Sequence, residues 1–171
     1  MRTKKHKPEA GKEKFGANKM KVTMMLADFA QAVKGKLYIM GGGWSIIGPK
    51  PGPSAIAIKI EVPWTETNRK HDLRLELLDS DCRPVLVPTA VGDSPLVLKA
   101  CFEVGRPPGL IAGSPMDVPL AFNITPIPLE PGRRYVWRLT INDITEDNWF
   151  VAFSTREAQP ASKGIDPEKS Q

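Results

Sequence analysis

Residues 54–62 read SAIAIKIEV, and the strict alternation of that stretch constrains the fold more than any other feature of the chain. Successive side chains of an extended backbone point to opposite sides, so Ile56, Ile58, Ile60 and Val62 share one face. The same period recurs along the sequence. Val22, Met24 and Leu26 alternate with Thr23, Met25 and Ala27. HDLRLELL (71–78) sets Leu73, Leu75 and Leu77 against Asp72, Arg74 and Glu76. LVLKACFEV (96–104) puts Leu96, Leu98, Ala100, Phe102 and Val104 together, with Lys99, Cys101 and Glu103 on the other side. PLAFNIT (119–125), RYVWRLTI (134–141) and NWFVAFS (148–154) continue the series, and KLYIMGGGWSII (36–47) reads as a strand broken by three glycines. No segment sustains the 3.6-residue period of an amphipathic helix, although DFAQAV (28–33) allows a short helical turn.

About eight short strands are therefore expected, separated by turns such as Pro49–Pro53, Asp79–Cys82 and Asn142–Asn148. The 17 prolines and 14 glycines in 171 residues favour the same reading, many short elements over long helices. The fold class this predicts is all-β, an antiparallel sandwich or small barrel. LEPGRRYVWRLTI (129–141) decides between the two. Leu129, Pro131, Gly132 and Tyr135 resemble the tyrosine corner of fibronectin type III and other immunoglobulin-like domains, in which a turn enters a late strand and the tyrosine hydroxyl bonds back to the main chain. The resemblance implies an immunoglobulin-like antiparallel β-sandwich. Alternation then turns Tyr135, Trp137, Leu139 and Ile141 inward and Arg134, Val136, Arg138 and Thr140 outward. The stretch is rich in arginine and aromatics, but the two are split between faces, whereas base stacking needs both on one exposed surface.

The chain from about Met20 to Thr155 also resembles a family of uncharacterised bacterial proteins common among actinobacteria. The stretches that carry this are LADFA (26–30), GKLYIMGGGW (35–44), GRPPG (105–109), DVPLAFNI (117–124) and LEPGRRYVWRL (129–139). That family has no assigned activity, so the resemblance implies no catalytic residues. The basic segment before Met20 departs from its pattern.

Charge divides the chain into three. Residues 1–21 carry a net +6 and the remainder −1, so the net charge of +5 belongs to the N-terminus. Residues 1–20 hold few large apolar side chains and are expected to be a disordered basic tail. Residues 21–156 form the sandwich, and residues 157–171 a polar disordered end. Three readings of the tail stay open, the plainest being a solvated segment with no role of its own. Lys4, Lys5, Lys7, Lys12 and Lys14 suit an arm that attracts nucleic acid by point charge. Alternatively Met20 is the translational start. No apolar run reaches the roughly 20 residues of a membrane helix, and VTMMLA is cut by Asp28, so no membrane span or signal peptide is expected. The protein is read as cytoplasmic, with Cys82 and Cys101 as free thiols.

Sites are sparse. Any Ser-His-Asp or Cys-His arrangement would have to use His71, because His6 lies in the tail, and neither cysteine sits in a nucleophile motif. Gly41-Gly42-Gly43 lacks the Lys-Ser/Thr of a phosphate loop and reads as a close backbone approach. The acidic turns Asp79/Asp81 and Asp143/Glu146/Asp147 match no calcium-loop spacing and read as solvated. No catalytic residue, cofactor or metal is assigned. The loop GRPPGLIAGSPMDVP (105–119) is long and places Leu110, Ile111 and Met116 where polar residues are expected. Two readings compete: these side chains fold back over the end of the sandwich, or they form a contact surface. Trp44 and Trp64 suit either core or surface. The resulting expectation is a non-enzymatic binding or assembly module that recognises a protein partner or a second copy of itself through an end loop or an edge strand. The alternatives are a nucleic-acid-associated protein using its basic arm and a hydrolase or metal-dependent enzyme.

Overall fold

The alternating segments do become strands, and their two faces meet different neighbours. A computed structural model describes residues 19–158. In chain order its strands are β1 (Lys21–Ala27), β2 (Phe29–Val33), β3 (Lys36–Met40), β4 (Ile46–Ile47), β5 (Ser54–Val62), β6 (Lys70–Asp79), β7 (Leu86–Thr89), β8 (Gly92–Pro95), β9 (Val97–Glu103), β10 (Met116–Ile124), β11 (Arg134–Ile141) and β12 (Phe150–Thr155). One turn of 3-10 helix, Trp64–Glu66, joins β5 to β6, and the described residues contain no α-helix. The class is all-β, in antiparallel sheets consistent with a sandwich.

A three-stranded sheet, β1-β5-β10, faces a five-stranded sheet, β4-β12-β11-β6-β9. The isoleucine face of β5 supplies one wall of the core: Ile56, Ile58, Ile60 and Val62 are fully buried. Leu73, Leu75 and Leu77 of β6 and Tyr135, Trp137, Leu139 and Ile141 of β11 supply the other. Each such aliphatic side chain contributes about 1.5–3 kcal/mol by leaving water. The outward set of β11, Arg134, Val136, Arg138 and Thr140, is exposed or half-buried, as the alternation requires.

The other face of β5 carries Ala55 and Ala57 before Lys59 and Glu61, and the two alanines have a structural use. Ala55 and Ala57, with Ala27 and Ala30, form a second small buried cluster on the far side of the three-stranded sheet. Side chains this short let another backbone approach closely, and what approaches is the β2–β3 hairpin. Asn123 of β10 holds it. Its side-chain amide donates to the Ala30 carbonyl at 2.9 Å, and its oxygen accepts the Ala30 N–H at 3.2 Å. Asn123→Leu should remove both bonds, at about 1 kcal/mol each. Amide exchange of Ala30 should then speed up selectively while the β5 and β11 amides keep their protection.

Four features differ from the sequence expectation. Asp28–Val33 is not helical. The Lys34–Gly35 turn has positive φ at both residues, 49° and 74°, which is the type I′ geometry that closes a two-residue hairpin, so the segment pairs with β3. The stretch 36–47 is not one broken strand: β3 belongs to the hairpin and β4 to the large sheet, paired in parallel with β12. The three glycines lie between them, where Gly41 packs so closely on Asp28 that any Cβ would collide with its carboxylate. A further hairpin, β7–β8, leaves the large sheet between β6 and β9. Its sequence, LVPTAVGDSP, carries two prolines and no clean alternation, which hid it. Finally, β10 begins at Met116, so Met116 is a strand residue paired with Val62 and not part of the loop.

Candidate functional site

Two connections cross between the sheets at the same end of the sandwich. Residues 63–69 run from β5 to β6, and residues 104–115 return from β9 to β10. The chain ties them together at their bases. The Asn68 N–H donates to the Val104 carbonyl at 2.8 Å. Arg106 then reaches back over the first connection: Nε donates to Thr67 Oγ1 at 2.6 Å and Nη2 to the Trp64 carbonyl at 2.7 Å. Its guanidinium lies 4.3 Å from the centroid of the Trp64 ring, a cation–π stack. Thr67 is itself buried and donates to the same Trp64 carbonyl. Trp64 is thus a half-buried platform for an arginine.

Beyond that anchor the loop turns outward. Gly109 and Gly113 both have φ near +87°, at 86° and 88°, and Ser114 N–H closes a turn on the Ile111 carbonyl at 3.1 Å. Leu110 is 40% and Ile111 82% exposed. Neither belongs to the core cluster. Of the three candidate contact residues, Leu110 and Ile111 therefore stand together at the tip, and Met116 lies apart, half-buried at the start of β10.

His71 supports this end from within. It is fully buried, with its ring stacked on Phe102 at 5.1 Å between centroids. Nε2 faces the Glu66 carbonyl at 2.8 Å, which only accepts, so Nε2 carries the hydrogen. Nδ1 then accepts from the Asn142 amide at 2.9 Å. Asn142 in turn accepts the Asp72 N–H at 3.0 Å through Oδ1, which fixes its orientation. Asn142 and Asp143 form a type I′ turn, with φ of 51° and 62°. One neutral imidazole thereby joins the 63–69 connection, β9 and the β11 turn. Burial pushes its pKa below the ordinary value, and the nearby Arg69 charge acts in the same direction. Both ring nitrogens are occupied, so His71 is a tether and not a free base for a Ser-His-Asp or Cys-His site. The alternation in HDLRLELL carried the signal, since His71 falls on the leucine face, but it did not reveal the partners.

The remaining candidates have local explanations. Asp79 accepts the N–H groups of Asp81 and Arg83, at 2.8 and 2.9 Å, and so builds its own turn. Glu146 pairs with Lys19 at 3.2 Å. No three His, Cys, Asp or Glu residues among the described residues are placed to share a metal ion. Trp44 packs edge-on against Phe153 at 5.9 Å. At the opposite end of β11, the Tyr135 hydroxyl accepts the Glu130 N–H at 3.0 Å. Thr155 Oγ1 also bonds the Glu130 carbonyl, at 2.7 Å, and Leu129 is buried beneath. Gly132 turns with φ of 69° against the Glu157 side chain. Leu129, Gly132 and Tyr135 thus fix the entry to β11, with Pro131 in the turn between them. Lys4, Lys5, Lys7, Lys12 and Lys14, with the rest of residues 1–18 and residues 159–171, lie outside the described residues.

A family model of unknown function, DUF6941, matches residues 22–149. The chain belongs to that family. The DUF6941 match spans β1 through β11 and the whole anchored end, including Trp64, His71, Arg106, Leu110, Ile111 and Asn142. It stops just before β12, which the structure nevertheless pairs with β11 and β4 in the large sheet. Comparison with curated proteins finds no match, and comparison with solved structures finds none.

Proposed function

We propose that this DUF6941 protein is a non-enzymatic binding or assembly module that recognises a protein partner through the loop 104–115. The observation that carries this is the pairing of a rigid base with an exposed apolar tip. Arg106 and Asn68 fix the root of the loop, so presenting Leu110 and Ile111 costs little further ordering on binding. Two adjacent aliphatic side chains at a loop tip suit an apolar pocket in a partner. The backbone bond of Tyr135 supports kinship with immunoglobulin-like domains, whose end loops often bind. A reducing compartment suits two exposed thiols, Cys82 and Cys101. No described helix is long and apolar enough to cross a membrane.

Leu110→Asp combined with Ile111→Asp tests the reading. Exposed substitutions usually change stability by less than about 0.5 kcal/mol each, so the melting temperature should stay within a few degrees. The partner that co-purifies stoichiometrically with the tagged wild-type chain should be lost. A collapse of the melting transition would place the two residues in the core, and an unchanged partner would place recognition elsewhere.

A further inference from the structure

We propose that the free edge of β3 is a self-recognition surface, through which two copies of this chain pair antiparallel about a two-fold axis at Tyr38. The surface is separate from the loop 104–115, and the inference does not rest on that loop's role. The backbone sets the argument. Ala30 directs its N–H and C=O away from β3, because both go to Asn123. In an antiparallel ladder that makes Ala30 and its partner Ile39 a non-hydrogen-bonded pair, so Ile39 also directs its N–H and C=O away from β2. Two residues along, Leu37, opposite Ala32, does the same. Neither Leu37 nor Ile39 has a second strand to bond among the described residues. Asn123 holds β2 to the body of the protein and leaves β3 as the outer strand, with four of its five residues exposed.

This edge is complementary to itself. When KLYIM meets a second KLYIM antiparallel with Tyr38 on the axis, Leu37 of one copy faces Ile39 of the other. Both use outward N–H and C=O groups, so four backbone hydrogen bonds form. Tyr38 faces Tyr38 across the axis as a cross-strand aromatic pair. Lys36 faces Met40 and so meets no like charge. Charge placement agrees, since the turn end of the hairpin carries Lys34 and Lys36 and the other end carries Asp28, and antiparallel pairing brings opposite ends together. The exposed side chains of Phe29, Tyr38 and Met40, at 45%, 55% and 66%, then lie on one continuous face of a four-stranded sheet. The outer strands β9 and β10 are blunted in the usual ways, β9 by Lys99 and Glu103 and β10 by Pro119, whereas β1, the other edge of the three-stranded sheet, carries only Lys21. The β3 edge carries a single charge, Lys36.

Sedimentation velocity of the full chain over a range of concentrations is the test. The wild type should show a monomer–dimer equilibrium. Tyr38→Lys places two ammonium groups opposite each other and should weaken the dimer by at least about tenfold, as should Tyr38→Glu. An equimolar mixture of the two variants should restore dimerisation. In a Cys82→Ser, Cys101→Ser background, Tyr38→Cys should form an intermolecular disulfide under mild oxidation, because the Cα atoms of a non-hydrogen-bonded pair lie about 4.5 Å apart. Gln31→Cys, one strand further from the axis, should not. A wild type that stays monomeric, or a dimer indifferent to both charges at position 38, overturns the proposal.

Discussion

Trp137→Ala should lower the unfolding free energy by about 3–5 kcal/mol, which is a drop of roughly 10 °C or more in melting temperature for a domain of this size. Trp137 is 2% exposed and lies between Tyr135 and Leu139 on the inner face of β11, with Leu77 beside it on β6 and Val151 on β12. Truncation leaves a cavity between two sheets that are each tied by their own ladders and cannot collapse into it. Arg138→Ala, one residue along, should change stability by less than about 0.5 kcal/mol, because Arg138 is exposed on the outer face. The pair of results separates the two meanings of an arginine- and aromatic-rich stretch. Were RYVWRLTI a nucleic-acid surface, the tryptophan would be dispensable for folding and the arginines would matter for binding. Equal, small effects from both substitutions would contradict the fold described above.

His71→Phe should cost on the order of 2–3 kcal/mol, although it keeps an aromatic ring to stack on Phe102. The substitution leaves the Glu66 carbonyl and the Asn142 amide facing an apolar ring. The wild type should in addition show a pH dependence that the variant lacks. The folded-state pKa of His71 lies below 6.5, so beneath that pH the unfolded chain takes up a proton that the folded chain refuses. Stability is therefore fully present above pH 6.5 and falls as the pH drops through that value toward the folded-state pKa. The geometry gives the same sign. A proton on Nδ1 would face the Asn142 amide donor, and Asn142 cannot turn over without losing the Asp72 N–H. Chemical denaturation at pH 7.5 and pH 5.5 should show a larger loss for the wild type than for His71→Phe. Parallel loss in both would assign the pH dependence to other groups.

How far the sequence could be read depended on the range of the interaction. Residues 54–62 announced a strand with an isoleucine and valine face, which is buried, but nothing local said that Ala55 and Ala57 on the other face would be buried too, beneath a hairpin. The hairpin itself was obscured, because DFAQAV has no β-branched residue until its end. Its strand form comes from the Lys34–Gly35 turn and from Asn123, 93 residues from Ala30. His71 could be placed on an inward face from its position among leucines, while its partners Glu66 and Asn142 lie 5 and 71 residues away. Leu110 and Ile111 were visible as apolar residues in a loop. Their exposure was not, because it depends on Arg106 reaching a tryptophan 42 residues earlier.

What the sequence alone determined is which side chains share a face. Side-chain alternation along a strand is a property of the local backbone, and it holds whichever neighbour the strand acquires. Which face meets which neighbour was left to the tertiary structure. Strand order, the parallel seat of β4 on β12 and the meeting of residues 63–69 with 104–115 depend on pairing between distant segments. So does the open edge of β3. A backbone N–H bonds equally well to any correctly placed carbonyl, so only the complete set of pairings decides which edges are filled and which stay free.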